Sequence, residues 1–186
     1  KIMALTESNE FAIGKKAPDF SLRNTVNNKM LSLIEAKGEK GTVIMFICNH
    51  CPFVIHVNTE LIKMANEYQA KGIQFIAIST NETVNYPQDG PQFMKEVAEN
   101  LNYPFPYLFD ETQEVAKAYD AACTPDFYAF DENLKAIYHG QLDDARPGNG
   151  KPLTGKDMRC ALDNLLENKA VVENQRPSVG CGIKWK

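Results

Sequence analysis

The sequence has no apolar run that approaches the roughly 18 to 20 residues needed to cross a bilayer. It also lacks an excess of positive charge, because 20 Lys and Arg residues are set against 24 Asp and Glu residues and the formal net charge is -4. The basic residues are scattered, so no basic surface of the kind that attracts nucleic acid is indicated. We therefore expect no membrane partner and no nucleic-acid partner.

Signals for targeting and for low complexity are absent as well. Residues 1–14 lack the charged start and apolar middle of a signal peptide. The 186 residues, 44% hydrophobic and 24% charged, have the size and composition of one soluble globular domain. We expect a single domain over residues 1–186, with a C-terminal tail from about residue 170, and a cytoplasmic location.

Cysteine is sparse. The chain has five cysteines, an odd number spread over its length, which does not suggest the disulfide framework of a small secreted protein. At least one thiol is expected to be free.

The first half of the chain has the pattern of a hairpin followed by a βαβ unit. Residues 17–33 alternate around the turn at Asn27 and Asn28, and residues 42–47 form an uninterrupted apolar strand. Apolar residues then recur at helical spacing from Pro52 onward, and residues 73–79 supply a second apolar strand. The two strands are expected to be parallel, with a right-handed crossover.

The second half predicts two short helices, an antiparallel hairpin and a final helix. The helices run from Pro91 to about Leu101 and over 111–119, and the hairpin covers 126–142. The final helix is predicted to begin at Thr154, in a capping box with Asp157. This order favours a mixed sheet with helices on both faces.

The segment Cys48-Asn49-His50-Cys51-Pro52 lies between the first apolar strand and the long helix. A proline suits the first helical turn, which places Cys51 just outside the helix N-terminus. Unpaired backbone N–H groups and the helix dipole lower the pKa of a thiol there. Cys51 is therefore the predicted nucleophile, and Cys48 is either a resolving thiol or a packing residue.

The remaining candidate residues have two interpretations each. His50 either supplies positive charge or a proton to Cys51, or is an exposed loop residue; His56 is expected to be packed or solvated. Cys181, between two glycines in a segment predicted to be flexible, either resolves a bond to Cys51 or is idle. Cysteine is often a small buried hydrophobe, and we predict this for Cys123 and Cys160.

Three segments carry a resemblance to a known family: "APDFSL", "VIMFICNHCPF" and "CTPDFYAFDENLKAIYHG". They resemble the thioredoxin-like superfamily, in particular its peroxiredoxin-like branch with the alkyl hydroperoxide reductase and thiol-specific antioxidant group. "CNHCPFV" and "GCGIKW" are typical of one subgroup. The resemblance implies an α/β thioredoxin-like fold with a mixed central sheet, helices on both faces and an N-terminal β-hairpin extension. It implies that Cys51 is the attacking cysteine and that Pro125 is a cis-proline, where the backbone of residue 124 is presented to a substrate chain.

The sequence departs from the family pattern at several positions. Val54 stands where a thioredoxin has its second cysteine, so the usual helix-turn disulfide cannot form. Ile44 and Cys48 replace a proline and a threonine of the peroxiredoxin pattern, and the predicted hairpin carries no matching arginine. These departures count against the ordinary peroxiredoxin activation of peroxide.

These observations predict an oxidoreductase that uses Cys51 against a protein or small-molecule disulfide or a peroxide, with Cys48 or Cys181 as resolving thiol. An external thiol such as a thioredoxin then reduces the protein, and no cofactor is expected. The alternative is a copper-binding or copper-delivery protein, with Cys48, Cys51 and either His50 or His56 as ligands. A redox-inert binding module of the same fold is a third possibility.

Overall fold

The computed structural model describes residues 5–186. It contains ten strands, which in chain order are β1 (Leu5–Glu7), β2 (Ser21–Asn24), β3 (Met30–Ser32), β4 (Gly41–Phe46), β5 (Ile73–Ser79), β6 (Tyr107–Phe109), β7 (Cys123–Thr124), β8 (Asp126–Asp131), β9 (Ala136–Gly140) and β10 (Val179–Gly182). The α-helices are α1 (Leu33–Ala36), α2 (Pro52–Gln69), α3 (Pro91–Asn100), α4 (Glu114–Ala118) and α5 (Lys156–Leu166), and Pro87–Asp89 forms a short 3-10 helix. None of the helices described has both the length and the apolar character to cross a membrane.

The central sheet has seven strands in the order β3-β2-β6-β5-β4-β8-β9. Strands β4 and β5 are parallel, and α2 crosses between them, which confirms the predicted βαβ unit. Strands β8 and β9 pair antiparallel, as the alternation of residues 126–142 predicts. The N-terminal hairpin, β2 and β3, joins this sheet through the antiparallel pairing of β2 with β6.

Side chains of the central strand β4 alternate between two apolar layers. Val43 and Met45 face the layer that contains α2, whereas Ile44 and Phe46 face the layer that contains Tyr119. All six β4 residues are buried, because the strand is paired on both edges and covered on both faces. The end of this strand is therefore a rigid support for the Cys48–Cys51 loop.

A second, three-stranded sheet has the order β1-β10-β7, with both pairs antiparallel. Strand β10 belongs to the segment that the sequence predicts as a tail without a clear element. It pairs on both sides, Cys181 opposite Thr124 on β7 and opposite Leu5 on β1. The four-residue stretch is too short to show a strand period, and its two glycines have low β propensity, so the sequence does not predict a strand there.

The predicted start of the last helix is wrong by two residues. Helix α5 begins at Lys156, and its N-cap is Gly155 in the left-handed region with φ 66°, not Thr154. The backbone N–H groups of Thr154 and Gly155 donate to the Asp143 carboxylate at 2.7 and 2.6 Å. The Asp143 carboxylate thus binds the Thr154 N–H, which the predicted capping box assigns to Asp157, and the Asp157 N–H donates to the Leu142 carbonyl at 3.2 Å instead of to Thr154.

Candidate active site

Cys51 is the N-cap residue of α2, and Pro52 occupies the first helical position, as the sequence predicts. Backbone N–H groups of Val54 and Ile55 both donate to the Cys51 carbonyl at 3.0 Å. Within residues 5–186 no side-chain capping hydrogen bond is formed by Cys51. The sulfur therefore lies at the helix start without acting as a conventional cap.

The Cys51 sulfur lies among two other thiols and the cis-proline strand. The thiols of Cys181 and Cys48 lie close enough to it to lower its pKa. In its protonated form the Cys51 thiol donates to the carbonyl oxygen of Thr124 at 3.3 Å. The sequence predicts Cys48, Cys51 and Cys181 separately as candidate site residues, and the fold brings all three together.

The pKa of Cys51 lies well below its usual value. The largest cause is the hydrogen bond from Cys181 and the second is the hydrogen bond from Cys48, both of which favour the thiolate. Burial opposes ionisation, and the backbone N–H of Val54 contributes less than either thiol. The two neighbouring thiols therefore lower the pKa of Cys51 more than the backbone N–H of Val54 at the helix start does.

The surroundings of Cys48 disfavour its thiolate. Its sulfur is hydrogen-bonded to the Thr124 hydroxyl at 3.4 Å. The hydrogen bond to Cys51, burial and the nearby Asp89 carboxylate all raise the pKa of Cys48. Cys48 therefore stays protonated and serves as a hydrogen-bond donor to Cys51.

Cys181 reaches Cys51 from a fixed strand rather than from a flexible tail. Gly180 lies so close to β7 that a Cβ atom there would be 2.0 Å from the Thr124 carbonyl oxygen. The hydrogen bond to Cys51 and burial raise the pKa of Cys181, while Lys184 and the Phe53 backbone N–H lower it. The expectation of flexibility is wrong, because the glycines here permit close strand packing.

The Cys51 and Cys181 side chains are closed off from solvent. Cys51 is 0% exposed and Cys181 is 3% exposed. Cys51 belongs to the apolar cluster that packs against α2, but its sulfur also contacts the Thr124 carbonyl oxygen. Its surroundings are therefore not purely apolar.

The main residue that the sequence analysis missed is Asp89. Its buried carboxylate accepts hydrogen bonds from the Asn49 and His50 backbone N–H groups at 2.8 and 3.3 Å, and pairs with His50 Nδ1 at 2.6 Å. Asp89 raises the pKa of His50 and thereby favours the imidazolium. In the sequence, Asp89 precedes Gly90 and indicates only a turn.

Asp89 also connects the cysteine loop to the C-terminal strand. Asn81 Nδ2 donates to Asp89 Oδ2, and Asn81 Oδ1 accepts from the Lys184 backbone N–H, both at 2.8 Å. The His50 ring stacks on Tyr86 with centroids 5.4 Å apart. His50 is therefore half-buried in a network, not an exposed loop residue.

The Thr124–Pro125 peptide bond is cis, as the family resemblance implies. The resemblance also implies that the backbone of residue 124 is presented to a substrate chain, and this is wrong. Residue 124 is already paired with β10, so that edge is not open to a substrate chain. Beside Pro125 lies a small cavity whose lining includes Phe53, Val57, Phe127, Leu142 and Val179.

Three further candidates lie outside this cluster. Cys123 is buried, as predicted, and burial together with Asp126 raises its pKa. Cys160 is exposed on α5, so the prediction of burial is wrong. His56 is half-buried, and its Nε2 atom has no hydrogen-bond partner within residues 5–186.

One group of side chains has the composition of a metal site. Ligand atoms of Cys48, His50 and Asp89 all lie within 4.8 Å of one another. The copper-binding alternative of the sequence analysis includes Cys51 as a ligand. Among the described residues, the group found here does not include Cys51. His50 Nδ1 and Asp89 Oδ2, at 2.6 Å, are at a distance typical of a shared proton.

Comparison with known proteins identifies the family. Residues 13–139 match the model of the AhpC/TSA family. The chain is 27% identical over 143 residues to the thiol-disulfide oxidoreductase ResA of Geobacillus thermodenitrificans, which covers 74% of this chain and 75% of that protein.

Solved structures agree with the fold. The chain is similar to an uncharacterized conserved protein from Geobacillus kaustophilus, with a TM-score of 0.97, 60% identity, and coverage of 99% and 97% of the two chains. A putative thioredoxin from Neisseria meningitidis has a TM-score of 0.63 at 23% identity, covering 82% and 90%. The fold is thioredoxin-like, and the chain belongs to the AhpC/TSA family.

Proposed function

We propose that this protein is a thiol-dependent oxidoreductase in which Cys51 is the nucleophile. The observation that carries the proposal is the convergence of Cys181 and Cys48 on the Cys51 sulfur, which lowers its pKa. A thiolate attacks disulfides and peroxides, whereas a thiol does not. The position of Cys51 at the helix start and the cis peptide bond at Pro125 support the proposal, because thioredoxin-like folds carry their reactive sulfur at such a position.

The reaction with a disulfide RSSR proceeds by two exchanges. The Cys51 thiolate attacks one sulfur, forms a mixed disulfide Cys51–S–S–R and releases RS⁻, which takes up a proton. Cys181, once deprotonated, then attacks the Cys51 sulfur and releases the second RS⁻. Two protein thiols are oxidised, one disulfide is reduced to two thiols, and an external thiol reduces the protein again.

Cys181 is better placed than Cys48 to be the resolving thiol. Lys184 and the Phe53 backbone N–H both favour the Cys181 thiolate, whereas the Asp89 carboxylate disfavours the Cys48 thiolate. Formation of the mixed disulfide removes the interaction with Cys51 that is the largest cause of the raised pKa of both Cys181 and Cys48, so the charges of Lys184 and Asp89 distinguish the two thiols. In this proposal Cys48 supports the Cys51 thiolate before the first exchange and does not attack the mixed disulfide.

His50 supplies the proton in this proposal. Its pairing with Asp89 favours the imidazolium, and the charge of Cys51 favours it further. An imidazolium beside the reacting sulfur neutralises the departing thiolate. With a peroxide, Cys51 attacks oxygen to give a sulfenic acid and an alcohol, and Cys181 displaces water to give the same disulfide.

Mass mapping after treatment with one equivalent of a small disulfide tests the proposal. We expect a Cys51–Cys181 disulfide in the wild-type protein and a trapped mixed disulfide at Cys51 in Cys181→Ser. Cys160→Ser is the matched control, because Cys160 lies on the exposed face of α5 and should leave the pattern unchanged. Modification confined to Cys160, with Cys51 unreacted, would refute the proposal.

Metal binding is the second candidate, favoured by the grouping of Cys48, His50 and Asp89. A thiolate, an imidazole and a carboxylate together suit zinc, and the soft sulfur and imidazole suit copper. Equilibrium dialysis of the reduced protein with zinc or Cu(I) tests it. Stoichiometric binding that is lost in Cys48→Ser and kept in Cys51→Ser would support a metal site at this group, and binding below one equivalent would exclude it.

A further inference from the structure

Strand β10 occupies the edge of β7 beside the cis peptide bond. Cys181 lies opposite Thr124, Gly182 lies opposite Cys123, and the Ile183 backbone N–H donates to the Ala122 carbonyl at 3.0 Å. The Thr124 carbonyl is also the group that faces the Cys51 sulfur. Any extended chain paired at this edge therefore brings the residue opposite Thr124 next to Cys51, and here that residue is a cysteine of the same chain.

The close fit of β10 to β7 depends on Gly180. A Cβ atom at this position would lie 2.0 Å from the Thr124 carbonyl oxygen and 2.8 Å from its carbon. Backbone atoms cannot move aside as a flexible side chain can. The contrast with Gly182 is direct, since a Cβ atom there would meet only the Thr6 side chain, at 3.0 Å.

Anchors on both sides and at both ends hold β10 in place. Strand β1 pairs along its other edge, and the Ser8 backbone N–H donates to the Ser178 carbonyl at 2.9 Å. Beyond its C-terminal end, the Lys184 backbone is bound by Asn81 and by the Glu82 N–H at 2.8 Å each. Strand β10 is therefore the middle strand of its sheet, and a second chain cannot pair with the β10-facing edge of β7 unless β10 leaves.

We propose that β10 is a tethered pseudosubstrate, which holds Cys181 at the position of a substrate cysteine and restricts Cys51 to small substrates. The inference rests on the proposed function, and it specifies the substrate class. A polypeptide disulfide requires release of the whole strand, because extended chains bind such an edge through backbone pairing. A disulfide or peroxide of low molecular weight requires only that the Cys181 side chain move away.

The test compares two disulfides on a protein that retains Cys51 and lacks both possible resolving thiols. In Cys48→Ser/Cys181→Ser, mixed disulfide at Cys51 is counted by mass spectrometry with bis(hydroxyethyl) disulfide and with insulin. Each reagent's rate with the protein is divided by its rate with a free model thiol. We expect this normalised rate to be at least about 100-fold higher for the small disulfide than for insulin, because insulin reacts only with the small fraction of molecules in which β10 has left β7. The normalised ratio does not depend on the Cys51 pKa, because that pKa affects both reactions equally.

The strand itself is tested by adding Gly180→Ala or Gly182→Ala to that protein. Gly180→Ala forces β10 away from β7 and should raise the insulin rate by about tenfold or more, whereas Gly182→Ala is the matched control and should leave the ratio unchanged. If Gly180→Ala does not fold, the proposal is tested by the insulin and small-disulfide rates measured in Cys48→Ser/Cys181→Ser alone.

The possible failures are distinguishable. Equal normalised rates for insulin and the small disulfide would overturn the pseudosubstrate role and leave the proposed function intact. A Cys51 that reacts with neither reagent would overturn the proposed function, and the present inference with it.

Discussion

The two sides of Cys51 are held by different kinds of interaction. On one side, the Cys48–His50 loop is held by side-chain contacts, of which three hydrogen bonds go to the Asp89 carboxylate and others join Asn49 to Gln88 and Tyr107. On the other side, Cys181 is fixed by backbone pairing of β10 with β7 and β1. The loop side therefore depends on side chains, chiefly Asp89, whereas the strand side depends on main-chain geometry that few substitutions can alter.

The electrostatic difference follows the same division. Asp89 places a negative charge near Cys48 and disfavours its thiolate, while Lys184 places a positive charge near Cys181 and favours its thiolate. Asn81 joins the sides, because it binds Asp89 through its amide nitrogen and the Lys184 backbone through its oxygen. Asn81 therefore connects the strand that carries Cys181 with the Cys48–His50 loop.

Asp89→Ala should have the largest effect on stability. The substitution leaves the donors of Asn49, His50 and Asn81 without their common acceptor. Removal of one partner from a buried, charged network costs about 3–5 kcal/mol, and we expect a loss of that order in the free energy of unfolding. Urea denaturation measures it, with exposed Glu132→Ala as the control, and a loss below about 1 kcal/mol would show that the loop side does not depend on Asp89.

Cys181→Ala should have the larger of the two thiol effects. The hydrogen bond from Cys181 is the main cause of the low Cys51 pKa, so its removal should raise that pKa more than Cys48→Ala does. The Cys51 thiolate should then be lost at higher pH as acid is added, which the ultraviolet absorbance of the thiolate reports. Cys160→Ala is the control. A larger rise of the Cys51 pKa in Cys48→Ala than in Cys181→Ala would contradict the prediction.

His50→Gln should have the smallest effect, and the effect should depend on pH. The pKa of His50 is raised and that of Asp89 is lowered in the folded state. The His50 contribution is complete below its ordinary pKa of about 6.5 and is lost as pH rises through the raised value. The Asp89 contribution is present above its ordinary pKa of about 3.9 and is lost as pH falls through the lowered value.

The stability difference between wild-type protein and His50→Gln should therefore be greatest near about pH 5 and fall by about 1 kcal/mol or less on the alkaline side. Urea denaturation at the two pH values measures it. Phe53→Leu, which leaves the His50–Asp89 pair in place, is the control for changes near the loop. A difference that grows with rising pH would contradict the assignment of an imidazolium.

Much of the scaffold follows from local pattern. The apolar run that forms β4 and the helical spacing after Pro52 locate the strand, the helix and the reactive loop between them. A strand buried on both faces gives a continuous apolar run, whereas a helix buried on one face gives apolar residues at helical spacing. The placement of Cys51 at the start of α2 needs no information beyond these patterns and the proline. The two-residue error at α5 arises because Asp143, which binds the backbone there, is remote from the predicted cap.

What the sequence alone determines is therefore the βαβ frame, Cys51 at its strand-helix junction and the proline-led hairpin. What only the tertiary structure decides is the chemistry around Cys51. Asp89 and Cys181 are 38 and 130 positions away from Cys51 along the chain, and no local period links them to it. Their roles depend on which surfaces the folded sheet brings together, since hydrogen bonding and charge act over a few ångströms of space regardless of distance along the chain.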